Sequence, residues 1–179
     1  MSTRLVILGL LKEQPLYGYE LKQIIEERMG DWTDIAFGSI YYALDKLSDE
    51  GFIEKLATEK EGNRPSREIY QITAEGKQEF QRLLRDTWTT IEPQHFRLDV
   101  GLYFANEMSS REIINALNQR LGWLQGAIGH IESHKEQTLQ SDEIPSRQSF
   151  WVKAIFEHSL IAYCAERDWI TSLLARLTG

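Results

Sequence analysis

The feature that most constrains this chain is a change of hydrophobic period at Gly51. Before that glycine the apolar residues recur every three or four positions; after it they alternate, and at Thr73 the helical spacing returns. Three helical segments come first. Residues 3–14 are apolar nearly all round, with Leu5, Leu8, Gly9 and Leu11 near one side and Val6, Ile7 and Leu10 filling the rest, so this helix must be buried. Gln14-Pro15-Leu16-Tyr17-Gly18 breaks it. A second, amphipathic helix is expected from Tyr19 to about Met29, with Leu21, Ile24 and Ile25 inward and Gly30-Asp31 as its stop. A third runs from about Ser39 to Glu50, with Ile40, Ala43, Leu44 and Leu47 at helical spacing and Gly51 at its C-terminal end.

Residues 52–58 and 68–73 then read as two strands, separated by the polar, turn-rich run Glu59 to Arg67. Thr73-Ala74-Glu75-Gly76 starts a further helix reaching about Ile91, and Pro93 marks a domain boundary. Three helices followed by a hairpin with a polar, cationic tip predict a winged helix-turn-helix over residues 1–92. In that arrangement the third helix enters the DNA major groove and the hairpin loop touches the backbone or the minor groove.

From residue 93 to 179 no strand signal appears, so the whole protein is expected to be mainly α. A short helix is expected over Phe96 to Asn106. Ser109 and Glu112 then form a capping box. The helix they open carries Ile113, Leu117, Leu121, Leu124, Ile128 and Ile131 at spacings of 4, 4, 3, 4 and 3, a coiled-coil-like seam. Gly122, Gly126 and Gly129 weaken it but permit a neighbour to approach closely. The last helix, about Arg147 to Leu177, has two apolar stripes: Trp151, Ile155, Ala162, Ala165, Trp169 and Leu173 on one, and Phe156, Leu160, Tyr163, Ile170, Leu174 and Leu177 on the other. One stripe packs on the preceding helix; the other needs a second surface, which a two-fold partner supplies. Trp151, Ile155, Ala162, Trp169 and Leu173 are the expected dimer contacts.

The formal charge of −7 excludes a protein that coats nucleic acid by bulk electrostatics, but not one that concentrates a few cations on one surface. Residues 1–93 hold 12 Lys and Arg against 17 Asp and Glu, a balance of 12 − 17 = −5, so non-specific affinity should be weak. A lone cysteine, Cys164, suits a reducing cytoplasm and reads as a buried apolar thiol. No apolar stretch approaches a membrane span, and a cytoplasmic protein is expected.

On the third helix the core positions leave Ser39, Tyr41, Tyr42, Asp45 and Lys46 pointing outward. Ser39 and Tyr42 suit phosphate or base contacts near the helix start; Tyr41 offers a hydroxyl and a flat face for a thymine methyl; Lys46 can reach a phosphate or guanine. Paired tyrosines in so small a domain can equally be packing residues. Asn63, Arg64 and Arg67 flank Pro65 in the expected wing, although a solvated loop has the same composition.

These residues resemble the PadR family of bacterial transcriptional regulators. The likeness is carried by Leu5 to Leu21, Gly38-Ser-Ile-Tyr-Tyr-Ala-Leu-Asp-Lys-Leu47, Glu50-Gly-Phe-Ile53 and Tyr70-Gln-Ile-Thr-Ala-Glu-Gly76. The second half, including Asp168-Trp169, is similar in pattern to the long helical C-terminal domain of the phenolic-acid-responsive and AphA-type members. The resemblance implies a homodimer held by the C-terminal helices, each N-terminal domain on one half-site of a pseudo-palindromic operator. It also implies a repressor, in some members released by a small aromatic or other hydrophobic effector. Ser39, Tyr41, Asn63, Arg64 and Arg67 match the contact positions, while Tyr42 and Asp45 stand where many relatives carry basic residues.

An enzyme is not expected: no Gly-rich phosphate loop, nucleophile elbow or acid pair occurs. His130 and His134, four apart, are spaced to chelate a metal, but Ile131 stands where a metalloprotease needs Glu and no third ligand is evident; no metal or cofactor is expected. The acidic balance favours a different alternative, a winged-helix module that binds protein instead of DNA. Trp123, Trp151, Tyr163 and Trp169 are candidates to line an aromatic-ligand pocket, or are simply core.

Overall fold

The computed structural model describes residues 3–30, 32–59, 67–91, 93, 95–140 and 146–179. They divide into two compact units, Met1–Glu92 and Pro93–Gly179.

The first unit contains α1 (Thr3–Glu13), β1 (Leu16–Tyr17), α2 (Gly18–Met29), α3 (Phe37–Asp49), β2 (Ile53–Glu59), β3 (Arg67–Ile72) and α4 (Ala74–Thr89). Its core is built from the positions with helical spacing. Ile7, Leu8, Leu10 and Leu11 of α1, Leu21 and Ile25 of α2, and Ile40, Ala43, Leu44 and Leu47 of α3 are buried together with Leu16, Ile53, Tyr70 and Ile72. Phe80 and Leu83 of α4 pack against this cluster.

Two features differ from the sequence expectation. The break after α1 is a strand: Leu16 and Tyr17 pair antiparallel with Tyr70 and Ile69, giving a three-stranded sheet in the order β1-β3-β2. A two-residue strand has no period to read, and its partner lies more than fifty positions away. Secondly, α3 starts at Phe37, two residues early, after Ala36, whose side chain makes no cap hydrogen bond. Its start therefore lacks the usual side-chain signature.

The other end of α3 closes as a Schellman motif. Gly51 takes φ 77°, its N–H donates to the Ser48 carbonyl at 3.0 Å, and the Phe52 N–H donates to the Leu47 carbonyl at 2.9 Å. The chain then feeds directly into β2. The β2–β3 register passes from Lys55↔Tyr70 to Ala57↔Ile69, so Leu56 is an extra residue in a bulge, which twists the hairpin locally.

The second unit contains α5 (Arg97–Tyr103), a 3-10 turn (Ala105–Glu107), α6 (Ser110–Gln140) and α7 (Ser146–Thr178). The single helix expected over 96–106 is thus two short pieces. The capping box at the start of α6 is present: the Glu112 N–H donates to the Ser109 hydroxyl at 3.3 Å, and Glu112 Oε2 accepts from the Ser109 N–H at 2.9 Å. α6 and α7 run antiparallel, as the pairs Arg120–Glu166 (2.7 Å) and Lys135–Glu157 (3.8 Å) require. Leu117, Leu124, Ile128 and Ile131 of the α6 seam are buried, as are Phe156 and Ile170 of α7.

The stripe led by Phe156 and Ile170 is therefore the one that packs within the chain. On the other, Trp151 is 55% and Trp169 38% exposed, and Ala162 is exposed, but Leu173 packs against the intrachain core. Leu173 lies three residues beyond Ile170 and next to Leu174, so it borders both faces. Phe150 and Ile161, absent from the sequence-derived interface, add to the exposed face. Among the described residues nothing beyond the helix's own neighbouring backbone lies within 4 Å of a Cβ added at Gly122, Gly126 or Gly129, so no described neighbour uses them for a close approach. Cys164 is half-buried rather than buried, between the two faces of α7. Among the described residues no helix is long and apolar enough to cross a membrane.

Candidate nucleic-acid interface

Burying Ile40, Ala43, Leu44 and Leu47 turns the opposite side of α3 to solvent. Tyr41 (38% exposed), Tyr42 (66% exposed), Asp45 and Lys46 lie there, with Ser39 half-buried at the helix start. The Ser39 hydroxyl donates to the Ala36 carbonyl at 2.6 Å, so its proton is held within the first turn of its own helix and must turn to reach a phosphate. Lys46 Nζ stands 5.9 Å above the Tyr42 ring, an i,i+4 cation–π pair that holds both side chains on the exposed face.

Tyr41 is both a surface and a packing residue. Its ring meets Phe37 edge-on at 5.0 Å and lies across the start of α2. A Cβ at Gly18 would come within 3.1 Å of it, so the glycine makes room for the tyrosine. Three residues missed in the sequence enlarge this surface. Phe37 is 52% exposed in the first turn of α3; Lys22 Nζ of α2 sits 4.8 Å from its ring; Tyr19 is exposed and stacks on Tyr17. Helical spacing does place Phe37 and Tyr41 together, four apart, once the helix start is known.

Of the expected wing contacts, Asn63 and Arg64 lie outside the described residues. Arg67 begins β3 opposite Glu59, and its side chain also lies outside them. At the hairpin base, Glu68 accepts from Lys55 Nζ at 2.9 Å and from the Tyr70 hydroxyl at 2.7 Å. Lys55 first, and then Tyr70, hold the Glu68 carboxyl below the ordinary glutamate range. Burial, reinforced by Glu68, pushes the Tyr70 hydroxyl well up. The Lys55 charge is thus neutralised internally. The exposed pair is intact at and above the ordinary glutamate range and is lost only as pH falls below it.

In the second unit the four aromatic residues do not converge on one pocket. Trp123 and Tyr163 meet across α6 and α7 at 5.8 Å, while Trp151 and Trp169 lie on the exposed face, 18 residues and hence about 27 Å apart. His130 and His134 have ring centroids 6.1 Å apart, and His134 meets Phe156 edge-on. Among the described residues no group of three or more His, Cys, Asp or Glu is placed to hold a metal.

A winged helix with an aromatic, lysine-bearing third helix and a separate long helical hairpin defines a class: two-unit winged-helix regulators. Residues 7–82 match the transcriptional regulator PadR-like family. The negative transcriptional regulator PadR of Bacillus subtilis is 29% identical over 177 residues, covering 96% of this chain and 94% of that protein. The crystal structure of Bacillus subtilis PadR with operator DNA superimposes with a TM-score of 0.76 at 25% identity, over 97% of this chain and 98% of the other. The same protein with p-coumaric acid gives 0.77 at 23% identity over 98% of both chains. The Vibrio cholerae virulence activator AphA, at 16% identity, shares the fold over 98% of both chains with a TM-score of 0.80. The chain is thus similar to the PadR-like family of transcriptional regulators over residues 7–82, and to PadR itself over nearly its whole length.

Proposed function

We propose that this protein is a homodimeric repressor that reads a pseudo-palindromic operator, with residues 1–92 as the DNA-binding domain and 93–179 as the dimerisation domain. One observation carries the reading: the solvent face of α3 bears Tyr41, Tyr42 and Lys46 in the family's winged-helix frame, which in the Bacillus subtilis relative has been solved on operator DNA. In such docking the N-terminal part of the third helix meets base edges while the hairpin tip follows the backbone. Ser39, Tyr41, Tyr42 and Lys46 are the groove contacts, and Asn63, Arg64 and Arg67 the wing contacts. The α7 face with exposed Trp151, Ala162 and Trp169 and half-buried Ile155, and with Leu173 at its border, is the dimer contact. A small aromatic effector fits the relative solved with p-coumaric acid, and in this reading the protein acts in the cytoplasm without catalysis or cofactor.

Selection of bound DNA from a random pool tests this directly. The recovered sites should be pseudo-palindromes with half-site centres roughly 34–36 Å apart, one helical turn. An unenriched pool would favour the other reading, a protein-binding winged helix, for which Asp45 and Asp49 on α3 speak. Tyr41→Ala should narrow the preference for the selected site over a scrambled one by about tenfold, the scale of one good base contact. Arg64→Ala should weaken all sequences alike, as loss of a phosphate contact does. Anisotropy titrations on both duplexes separate the two patterns.

Glu68→Gln should release Lys55 from its internal partner. Binding should tighten, and the slope of log affinity against log salt should steepen by about one unit per added phosphate contact. A salt series on one duplex reads this; an unchanged slope would place Lys55 away from the backbone.

A further inference from the structure

We propose that Phe37 is a specificity-determining residue that reads the C5-methyl group of a thymine in each half-site, with Tyr41 and Lys22 as the residues that hold its ring in place. The proposal rests on the DNA-binding reading above and deepens it.

Phe37 is the first residue of α3 and is half exposed, although the unit has a complete apolar core beneath it. Its ring is nevertheless not loose. Tyr41, one turn on, meets it edge-on at 5.0 Å with an interplanar angle of 64°. Lys22 Nζ lies 4.8 Å from the ring centroid and is itself drawn toward Glu26 at 3.6 Å. Tyr41 is in turn seated against α2, in the room left by Gly18. Two helices therefore fix one exposed phenyl ring, and an ordered aromatic side chain binds without the entropy cost of freezing rotamers.

Its place and chemistry select the ligand. The ring lies on the same helical turn and side as Tyr41, so a helix inserted by its N-terminal part presents both to base edges. The major groove offers a phenyl ring one protruding apolar group, the thymine methyl; guanine, cytosine and adenine carry no methyl there. Lys22 beside the ring suits the phosphates that flank such a base, and it replaces part of the positive charge that Asp45 and Asp49 remove from α3.

The test deletes the methyl rather than the protein. In a duplex recovered by selection, each thymine of one half-site is replaced in turn by deoxyuridine, and wild type, Phe37→Ala and Phe37→Leu are titrated by anisotropy. Wild type should lose about fourfold in affinity at one thymine, the worth of one buried methyl. Phe37→Ala should bind the unmodified site about fourfold more weakly and be indifferent to that replacement. Phe37→Leu, which keeps an apolar surface, should fall between. If wild type is indifferent to every replacement, or if Phe37→Ala keeps the same sensitivity, the inference is wrong while operator recognition stands. If wild type does not separate the selected duplex from a scrambled one, the DNA-binding reading fails and takes this one with it.

Discussion

Gly76→Ala is expected to lower the melting temperature of the N-terminal unit by about 15 °C or more, the largest stability effect of any single methyl in this chain. The reason is local. Thr73 caps α4: its N–H donates to the Phe52 carbonyl at 3.0 Å, its hydroxyl donates to the Gly51 carbonyl at 2.8 Å, and that hydroxyl accepts from the Gly76 N–H at 3.0 Å. These bonds draw the first turn of α4 down onto the start of β2. A Cβ at position 76 would stand 2.0 Å from the Phe52 carbonyl oxygen and 2.8 Å from the Ile72 side chain. A backbone oxygen cannot swing aside as a side chain can. Either α4 lifts off the sheet, losing the Thr73 bonds and loosening Phe80 and Leu83, or β2 leaves its register. Overpacking of this severity costs about 3 kcal/mol or more, a large share of a small domain's stability. Two other glycines serve as controls. Gly51→Ala, at φ 77°, should cost about 1 kcal/mol through backbone strain alone. Gly38→Ala, inside α3 with open space around it, should be neutral or mildly stabilising. Thermal unfolding of the three variants by circular dichroism gives the order; a Gly76→Ala melt equal to that of Gly38→Ala would contradict the described seating of α4.

Trp151→Glu combined with Trp169→Glu is expected to convert a dimer into a monomer. The two indoles lie 18 positions apart, a whole number of helical turns, and so share the solvent side of α7 with Phe150 and Ile161. An apolar face on this scale is unusual on a monomer. Each large side chain buried contributes on the order of 1.5–3 kcal/mol, and a two-fold interface buries each of them twice. Losing four indoles and burying four carboxylates in their place should weaken association by many thousandfold. The packed face, with Ile170 clustered on Leu117 and Leu124 and with Phe156, Ile128 and Ile131 also buried, is untouched, so the α6–α7 hairpin should remain helical. Sedimentation equilibrium with circular dichroism checks both parts. A helical monomer is the expected species, and an unchanged dimer would remove α7 from the interface.

Much of this architecture is legible in the residue spacing because its determinants are local. Ile40, Ala43, Leu44 and Leu47 declare the buried side of α3, Gly51 its end, and Ser109 with Glu112 the start of α6. The features that escape are those set by distant residues. β1 exists only because β3 offers a free edge to Leu16 and Tyr17. The choice between the two stripes of α7 depends on which one meets the α6 seam, and Leu173, spaced to serve either, falls to the intrachain side. The candidate reading surface is legible in part. Tyr42 and Lys46 follow from helical phase, whereas Phe37 was hidden by a helix start without a capping side chain. Its Lys22 partner comes from a different helix, which no spacing rule within α3 can reveal.

Recognition of a particular DNA sequence by α3 is the claim from which the rest follows. Fluorescence anisotropy of the full chain on the duplex upstream of its own coding sequence, set beside a scrambled duplex of the same composition over a range of salt, measures it most directly. Saturable binding that prefers the upstream duplex at least a hundredfold and weakens steeply with salt is the predicted result. Equal affinity for both duplexes, or binding to neither, would contradict it.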